Sequence, residues 1–324
     1  MTIFLIRRLI HSIALILIMS MIVFAGVYAI GNPVNLLISP DATPLEREHS
    51  IQKLGLDQSL WNQYLAFLKG ALQGDIGNSF IHNTPAIKLI LQRFPATLEL
   101  AVLSMALAVF AGIPLGMWAG IRYGSLPDRI IMTGSVMGFS LPSFWVGLMM
   151  ILFFSLYLGW LPTFGRGQTV NVFGLDLSMF TVDGIKHLIL PVINLSLLPL
   201  SLIIRLTRSG VQEVWPLDFI KFARSKGISS FRLICVHVLK NILIPVVTVT
   251  GIHFGTLLAF AVVTETVFSW PGMGKLIIDA ITLLDRPVIV AYLVVTVIIF
   301  VLINLITDII HSLLDPRIRI EEQL

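Results

Sequence analysis

Few residues of this 324-residue chain have the type and spacing that chemistry requires. The pattern G-x-x-x-x-G-K-[ST], whose backbone amides and lysine cradle nucleotide phosphates, is absent. Gly272-Met273-Gly274-Lys275 lacks the upstream glycine and is followed by Leu276. The seven histidines are scattered, with no H-E-x-x-H and no paired-cysteine motif, so no metal site is expected. His253 reads as a packing or hydrogen-bonding residue. Ser104 and Ser155 lie in apolar runs without a histidine or paired aspartates to activate them, so no catalytic residue is expected either. The single cysteine, Cys235, excludes an internal disulfide. Two stretches still carry chemistry. One is the basic, amphipathic DFIKFARSKGISS (Asp218–Ser230), suited to docking on a surface. The other is ETVFSWPGMGKLIIDAI (Glu265–Ile281), which joins an acid, two aromatics and a Trp-Pro-Gly turn.

The elements that hold these stretches are dictated by composition. The chain is 56% hydrophobic and 12% charged, against about 25% charged in an ordinary soluble domain. Its apolar residues come in blocks long enough to cross a bilayer, which takes about 20 residues of helix. Six spans are predicted, at about 9–30, 100–121, 130–158, 187–206, 241–264 and 288–310. Helices are expected because every backbone polar group in lipid needs an internal partner. The first block follows Arg7 and Arg8; it is too long for a signal core and no small-residue cleavage site follows, so it reads as a retained anchor. Lys and Arg set the orientation. With the N-terminus inside, the inner segments hold Arg122, Arg129, Arg205, Arg208, Arg232, Lys240, Arg317 and Arg319 besides the basic loop. The short outer ones hold only Arg166, Lys186, Lys275 and Arg286. Both termini are therefore expected inside. This asymmetry accounts for the net charge of +4, and no nucleic-acid partner is implied. The spans hold almost no ionisable residues, Glu265 and Asp308 falling near span ends, which argues against a proton-coupled carrier.

The outer segment, about 32–98, is expected to be helical. TPLERE (Thr43–Glu48) has a threonine cap followed by proline and acids. LWNQYLAFLKGAL places Leu60, Tyr64, Phe67, Leu68 and Leu72 at helical spacing, with Trp61 and Tyr64 suited to a membrane interface. A further helix at Pro85–Phe94 leads into the second span. Gly112, Gly116 and Gly120 form a small-xxx-small series that permits close helix approach, and Gly134 with Gly138 and Gly251 with Gly255 repeat it. Pro114, Pro142, Pro191 and Pro245 can bend or start helices.

In the inner loop, about 207–240, Trp215, Phe219, Phe222 and Ala223 share one predicted helix face, with Asp218, Lys221 and Ser225 on another. Gly227 suits a left-handed stop behind Arg224 and Lys226, whose charges favour a helix C-terminus. A second short helix follows, with Phe231, Ile234, Cys235, Val238 and Leu239 on its apolar side. Lipid, the rest of the chain or another protein would each cover such a face. Phe268–Met273 is expected to form a non-helical turn, either re-entrant at the outer mouth of a pathway, with Glu265, Phe268, Trp270, Pro271 and Gly272, or an interfacial anchor on Trp270.

The loop resembles the coupling loop of bacterial ABC importer permeases, whose consensus is Glu-Ala-Ala, three residues, Gly, nine residues, then Ile-x-Leu-Pro. Aligned on Gly227, the matching positions are Lys221, Phe222, Ala223, Gly227, His237 and Leu239; Lys221 replaces the acid, Phe222 the first alanine and Lys240 the proline. This variant is similar to the dipeptide, oligopeptide and nickel subgroup, and closest to the first of the two permease subunits of dipeptide importers. LGLDQSLWNQYLAFLKGALQGDIGNSF, RFPATLEL, GIPLG, RLTRS, NILIPVVTV and LLDPRIR carry the resemblance along nearly the whole chain.

The resemblance implies a type I importer permease, a single all-α membrane domain in the bacterial inner membrane. It implies a second permease, one or two ATPase subunits that bind the ATP and Mg, and an outer solute-binding protein, with no cofactor in this chain. Asp218, Lys221, Phe222, Ala223, Arg224, Lys226 and Gly227 would then contact the ATPase and carry its closure to the spans. Peptides, nickel, glutathione or another small solute remain open as cargo.

Overall fold

The structure, a computed structural model, describes residues 2–29, 44, 45, 48 and 57–314. The helix expected at Thr43–Glu48 and the LLDPRIR segment lie largely outside these residues. Helices carry most of the described backbone. In chain order they are α1 (Thr2–Ala29), α2 (Leu60–Leu72), α3 (Ala86–Ile121), α4 (Leu126–Ser140) and α5 (Ser143–Met150, continued by a π-helical stretch Ile151–Tyr157). After a two-stranded hairpin come α6 (Val182–Val214), α7 (Asp218–Ser225), α8 (Ser230–Arg232, continued by a π-helical stretch Leu233–Val238) and α9 (Leu239–Phe260). The last are α10 (Val262–Val267), α11 (Met273–Thr282) and α12 (Arg286–Leu314).

By length and composition, Ala86–Ile121, Val182–Val214, Ser230–Leu258 and Arg286–Thr307 can each cross a membrane, and α4 with α5 makes a fifth if that bent pair is one span. The described apolar stretch of α1, Ile10–Gly26, is shorter. The described residues thus give four or five spans where six were expected. The protein is a helical, multi-pass membrane protein.

Helix boundaries differ from those expected. The span placed at 130–158 falls on two helices meeting at 106°. Leu141, which precedes proline, is extended (φ −82°, ψ 138°), and Pro142 starts the second helix, as proline's missing N–H and ring sterics favour. Conversely, the helix at Pro85–Phe94 and the span at 100–121 are one 36-residue helix, α3, which passes through Pro95 and Pro114 without ending. A lost hydrogen bond at each proline leaves the rest of the ladder intact.

The chain divides into two compact units, Phe94–Lys275 with Leu302–Leu324, and Thr2–Arg93 with Leu276–Val301. In the second, α2 packs on α1. Tyr64 is buried, its hydroxyl 2.9 Å from that of Ser20 and its ring edge-on to Phe24. Tyr64 is therefore a packing residue, whereas Trp61 stays exposed. Beyond α2, Asp285 accepts hydrogen bonds from the Ser79 hydroxyl (2.5 Å) and the Phe80 amide (3.1 Å).

In the first unit α6 is central, packed by α4 and α9. α3 lies against it along the glycine series. A β-carbon on Gly112 would come within 2.8 Å of the Ile203 side chain, on Gly116 within 2.6 Å of the Ile204 carbonyl oxygen, and on Gly120 within 2.6 Å of Val211. Gly251 meets Thr307 in the same way. Gly134 has nothing within 4 Å, so the series in α4 does not serve close packing.

The hairpin was not foreseen. β1 (Val170–Val172) pairs antiparallel with β2 (Leu175–Leu177) around Phe173 (φ 53°) and Gly174 (φ 83°). Positive φ at both central residues matches the twist of a two-residue hairpin. Its base is held by Glu99 of α3, which accepts from the Ser178 amide (2.7 Å) and hydroxyl (2.9 Å), the Met179 amide (2.8 Å) and Arg166 Nη2 (2.7 Å).

Candidate functional site

The loop between α6 and α9 is built as a short knob on a buried stem. α6 ends at Val214 with Trp215 as its cap, and Pro216 and Leu217 turn the chain before α7 begins. Ile220 and Ala223 are the buried side of α7, packed with Met117, Val211, Leu233, Val238 and Ile242. Phe219 and Phe222 are 42% and 61% exposed, and Phe231 of α8 is 79% exposed. The predicted shared face of Trp215, Phe219, Phe222 and Ala223 is therefore corrected. Trp215 belongs to the end of α6 and packs against the buried cluster, so it is out of register with α7, whereas Phe219 and Phe222 are exposed.

Gly227 has φ +74° and closes α7, its amide donating to the Arg224 carbonyl at 3.0 Å. No atom lies within 4 Å of the position its β-carbon would take, so backbone conformation, not space, selects glycine there. Arg224 sits 4.8 Å over the Trp215 ring, Lys226 4.5 Å over Phe222, and Lys221 pairs with Asp218 at 2.9 Å on the exposed side. The second short helix is not separate. From Ser230 the chain winds through the π-helical stretch straight into α9. Leu233 and Val238 are buried while Cys235 is exposed.

A bidentate ion pair lies beside this stem. Arg208 of α6 donates to Asp128 of α4 through Nε (2.6 Å) and Nη2 (3.0 Å), and Asp128 also accepts from the Gly124 amide (2.9 Å). Arg208 stacks 5.0 Å over Tyr123. Bidentate geometry fixes orientation as well as distance, so the α3–α4 turn is bolted to α6 less than two turns of helix before its end. The only sequence signal was an acid at a helix N-terminus, which does not name its partner.

The turn after α10 is non-helical, as expected, but its side chains face inward. Glu265 and Trp270 are fully buried and Phe268 is 2% exposed. Trp270 Nε1 donates to the Ala96 carbonyl (2.9 Å). Glu265 accepts from the Thr97 hydroxyl (2.6 Å) and the Lys275 amide (3.0 Å), and Thr97 accepts from the Met273 amide (2.8 Å). A β-carbon on Gly272 would collide with the Glu265 carboxylate. An interfacial role for Trp270 is thereby excluded. The turn is clamped to α3, with Glu265, Phe268 and Trp270 buried within this chain.

A cavity of about 470 Å³ opens at the elbow of α4 and α5. Its wall includes Phe139, Leu198 and the polar side chains of Ser143, Asn194, His253, Thr256 and Thr264. Asn194 Nδ2 donates to the Thr264 hydroxyl at 3.2 Å. None of these was among the predicted site residues. Among the described residues no cluster of His, Cys, Asp and Glu is arranged to hold a metal ion.

Residues 112–320 match the family model "Binding-protein-dependent transport system inner membrane component", and residues 1–101 match that family's N-terminal model. The chain belongs to this family. It is 37% identical to the dipeptide transport system permease protein DppB of Escherichia coli (strain K12), over 98% of both chains. It is 37% identical to the glutathione transport system permease protein GsiC of the same strain, again over 98% of both. The inward-facing MetNI methionine ABC transporter matches in fold, with a TM-score of 0.55 at 18% identity, covering 70% of this chain and 96% of that one.

Proposed function

We propose that this chain is one of two permease subunits of an ATP-driven importer of dipeptides or short oligopeptides in a bacterial inner membrane. A second, similar permease completes the pathway. An outer solute-binding protein delivers cargo, and one or two ATPase subunits bind and hydrolyse ATP with Mg. Both termini and the α7 knob face the cytoplasm. The full-length similarity to a dipeptide permease supports the cargo class, and uptake of glutathione, itself a short peptide, is the neighbouring reading.

The observation that carries the coupling role is the split character of α7. Ile220 and Ala223 root it in the ends of α3, α6 and α9, while Phe219, Phe222 and Phe231 remain exposed. Exposed aromatics on a rooted helix suit insertion into a groove of a partner protein. In the proposed cycle ATP closes the ATPase pair, the knob follows, and α6 and α9 carry the motion to the cavity. Lys221, Arg224 and Lys226 form the rim of that contact. Glu265, Phe268, Trp270, Pro271 and Gly272 brace the pathway wall from behind. Replacing Phe222 by Asp tests the reading. The tagged chain should still insert and retain its permease partner but lose the ATPase on co-purification; full retention of the ATPase with unchanged peptide uptake would remove the coupling role.

A further inference from the structure

We propose that Asn194 is a cargo-reading residue, whose amide oxygen accepts a hydrogen bond from the backbone N–H of a peptide crossing the cavity. The inference rests on the function proposed above and concerns the same pathway. Asn194 is 2% exposed and lines the cavity, and its Oδ1 has no hydrogen-bond partner. Its amide is oriented by the bond from Nδ2 to Thr264. Buried polar atoms are nearly always paired, and an orphan acceptor calls for an explanation such as a missing ligand. Screened from solvent in this state, the oxygen can bond cargo only after the cavity wall shifts, so its availability is tied to the transport cycle.

The lining chemistry points to the peptide backbone rather than the peptide's ends. No carboxylate, lysine or arginine is among the lining residues; the polar groups are one imidazole, one carboxamide and three hydroxyls. A zwitterion held by both termini would need fixed charges. A transient path that accepts many side chains needs only neutral donors and acceptors that match the amide group every peptide shares. The volume, about 470 Å³, falls within the roughly 300–1,000 Å³ of small-molecule clefts. The apolar remainder of the wall, including Phe139, Leu141 and Leu198, tolerates varied side chains.

The test uses the complete importer in proteoliposomes, with Asn194→Leu beside the wild type, and a dipeptide beside its counterpart methylated at the peptide nitrogen. The variant should lower dipeptide uptake by about tenfold, the worth of one ordinary hydrogen bond. ATPase stimulation by the loaded binding protein should persist. The wild type's preference for the unmethylated peptide, measured with the same binding protein, should shrink in the variant. Thr264→Val, which leaves Asn194 in place but removes its anchor, should shrink the same preference and guards against misfolding of the leucine variant. Unchanged uptake and preference in both variants would overturn the proposal. So would loss of the second permease from the complex, which would mean that a neighbouring subunit fills the cavity. A wild type that takes up no dipeptide would instead bring down the functional reading itself.

Discussion

At Gly227 one backbone angle decides how the knob ends. Its φ of +74° costs a residue with a side chain roughly 1–2 kcal/mol, and β-branched residues suffer most, whereas Asn visits this region readily. Gly227→Val should therefore insert normally but lose ATP-driven uptake, while Gly227→Asn should keep most of it. Equal activity of the two variants, in uptake assays normalised to membrane content, would separate the stop from function. This residue was legible because a glycine behind two cations, at the end of a basic amphipathic run, has a local signature. Asn194 was not legible. Its meaning depends on Thr264, 70 positions away and on another element, and on a hydrogen bond that is missing. The inward turn of Glu265 and Trp270 was hidden for a similar reason. A Trp-Pro-Gly sequence announces a turn, but only the carbonyl acceptor at Ala96 and the hydroxyl donor at Thr97 decide which way it faces.

At the scale of elements, apolar runs and prolines gave the helices, and their boundaries moved where proline acted differently from its context. Pro142 breaks a span by 106° while Pro95 and Pro114 are absorbed within α3. The difference lies in the residue before each: Leu141, ahead of Pro142, is extended, whereas the residues ahead of Pro95 and Pro114 stay helical. The hairpin β1–β2 was missed because six strand residues carry too short an alternation to stand out. Its attachment to α3 is testable. Glu99 is buried and binds four donors, one of them the guanidinium of Arg166. Removing one partner of a buried pair strands the other, at about 3 kcal/mol. In Glu99→Ala, hydrogen exchange at Ser178 and Met179 should accelerate while the amides in the middle of α6 stay protected. Unaltered exchange at both amides would show that the carboxylate does not hold the hairpin.

For the whole molecule, the sequence gives family and membrane class more securely than it gives the number of crossings. Composition and the spread of motifs required a multi-pass helical permease, and the family match over residues 112–320 agrees. The described helices support four or five crossings by length and composition, because α1 carries a shorter described apolar run and α4 and α5 part company. The phosphate-cradling pattern G-x-x-x-x-G-K-[ST] does not occur in the sequence. Purified alone into liposomes, it should move no peptide whether or not ATP is present; the same vesicles supplied with the second permease, ATPases and loaded binding protein should accumulate peptide only with ATP. Nucleotide-independent uptake by the lone chain would contradict that dependence.

The glycine series along α3 has a consequence for how this protein can change over time. At Gly112, Gly116 and Gly120 even one methyl group would strike α6, in one case its main chain. Phe110, on the same helix, is 80% exposed. Tolerance along α3 is therefore lopsided: the exposed rim has room for bulky apolar residues, while the seam admits nothing larger than glycine unless α6 moves with it.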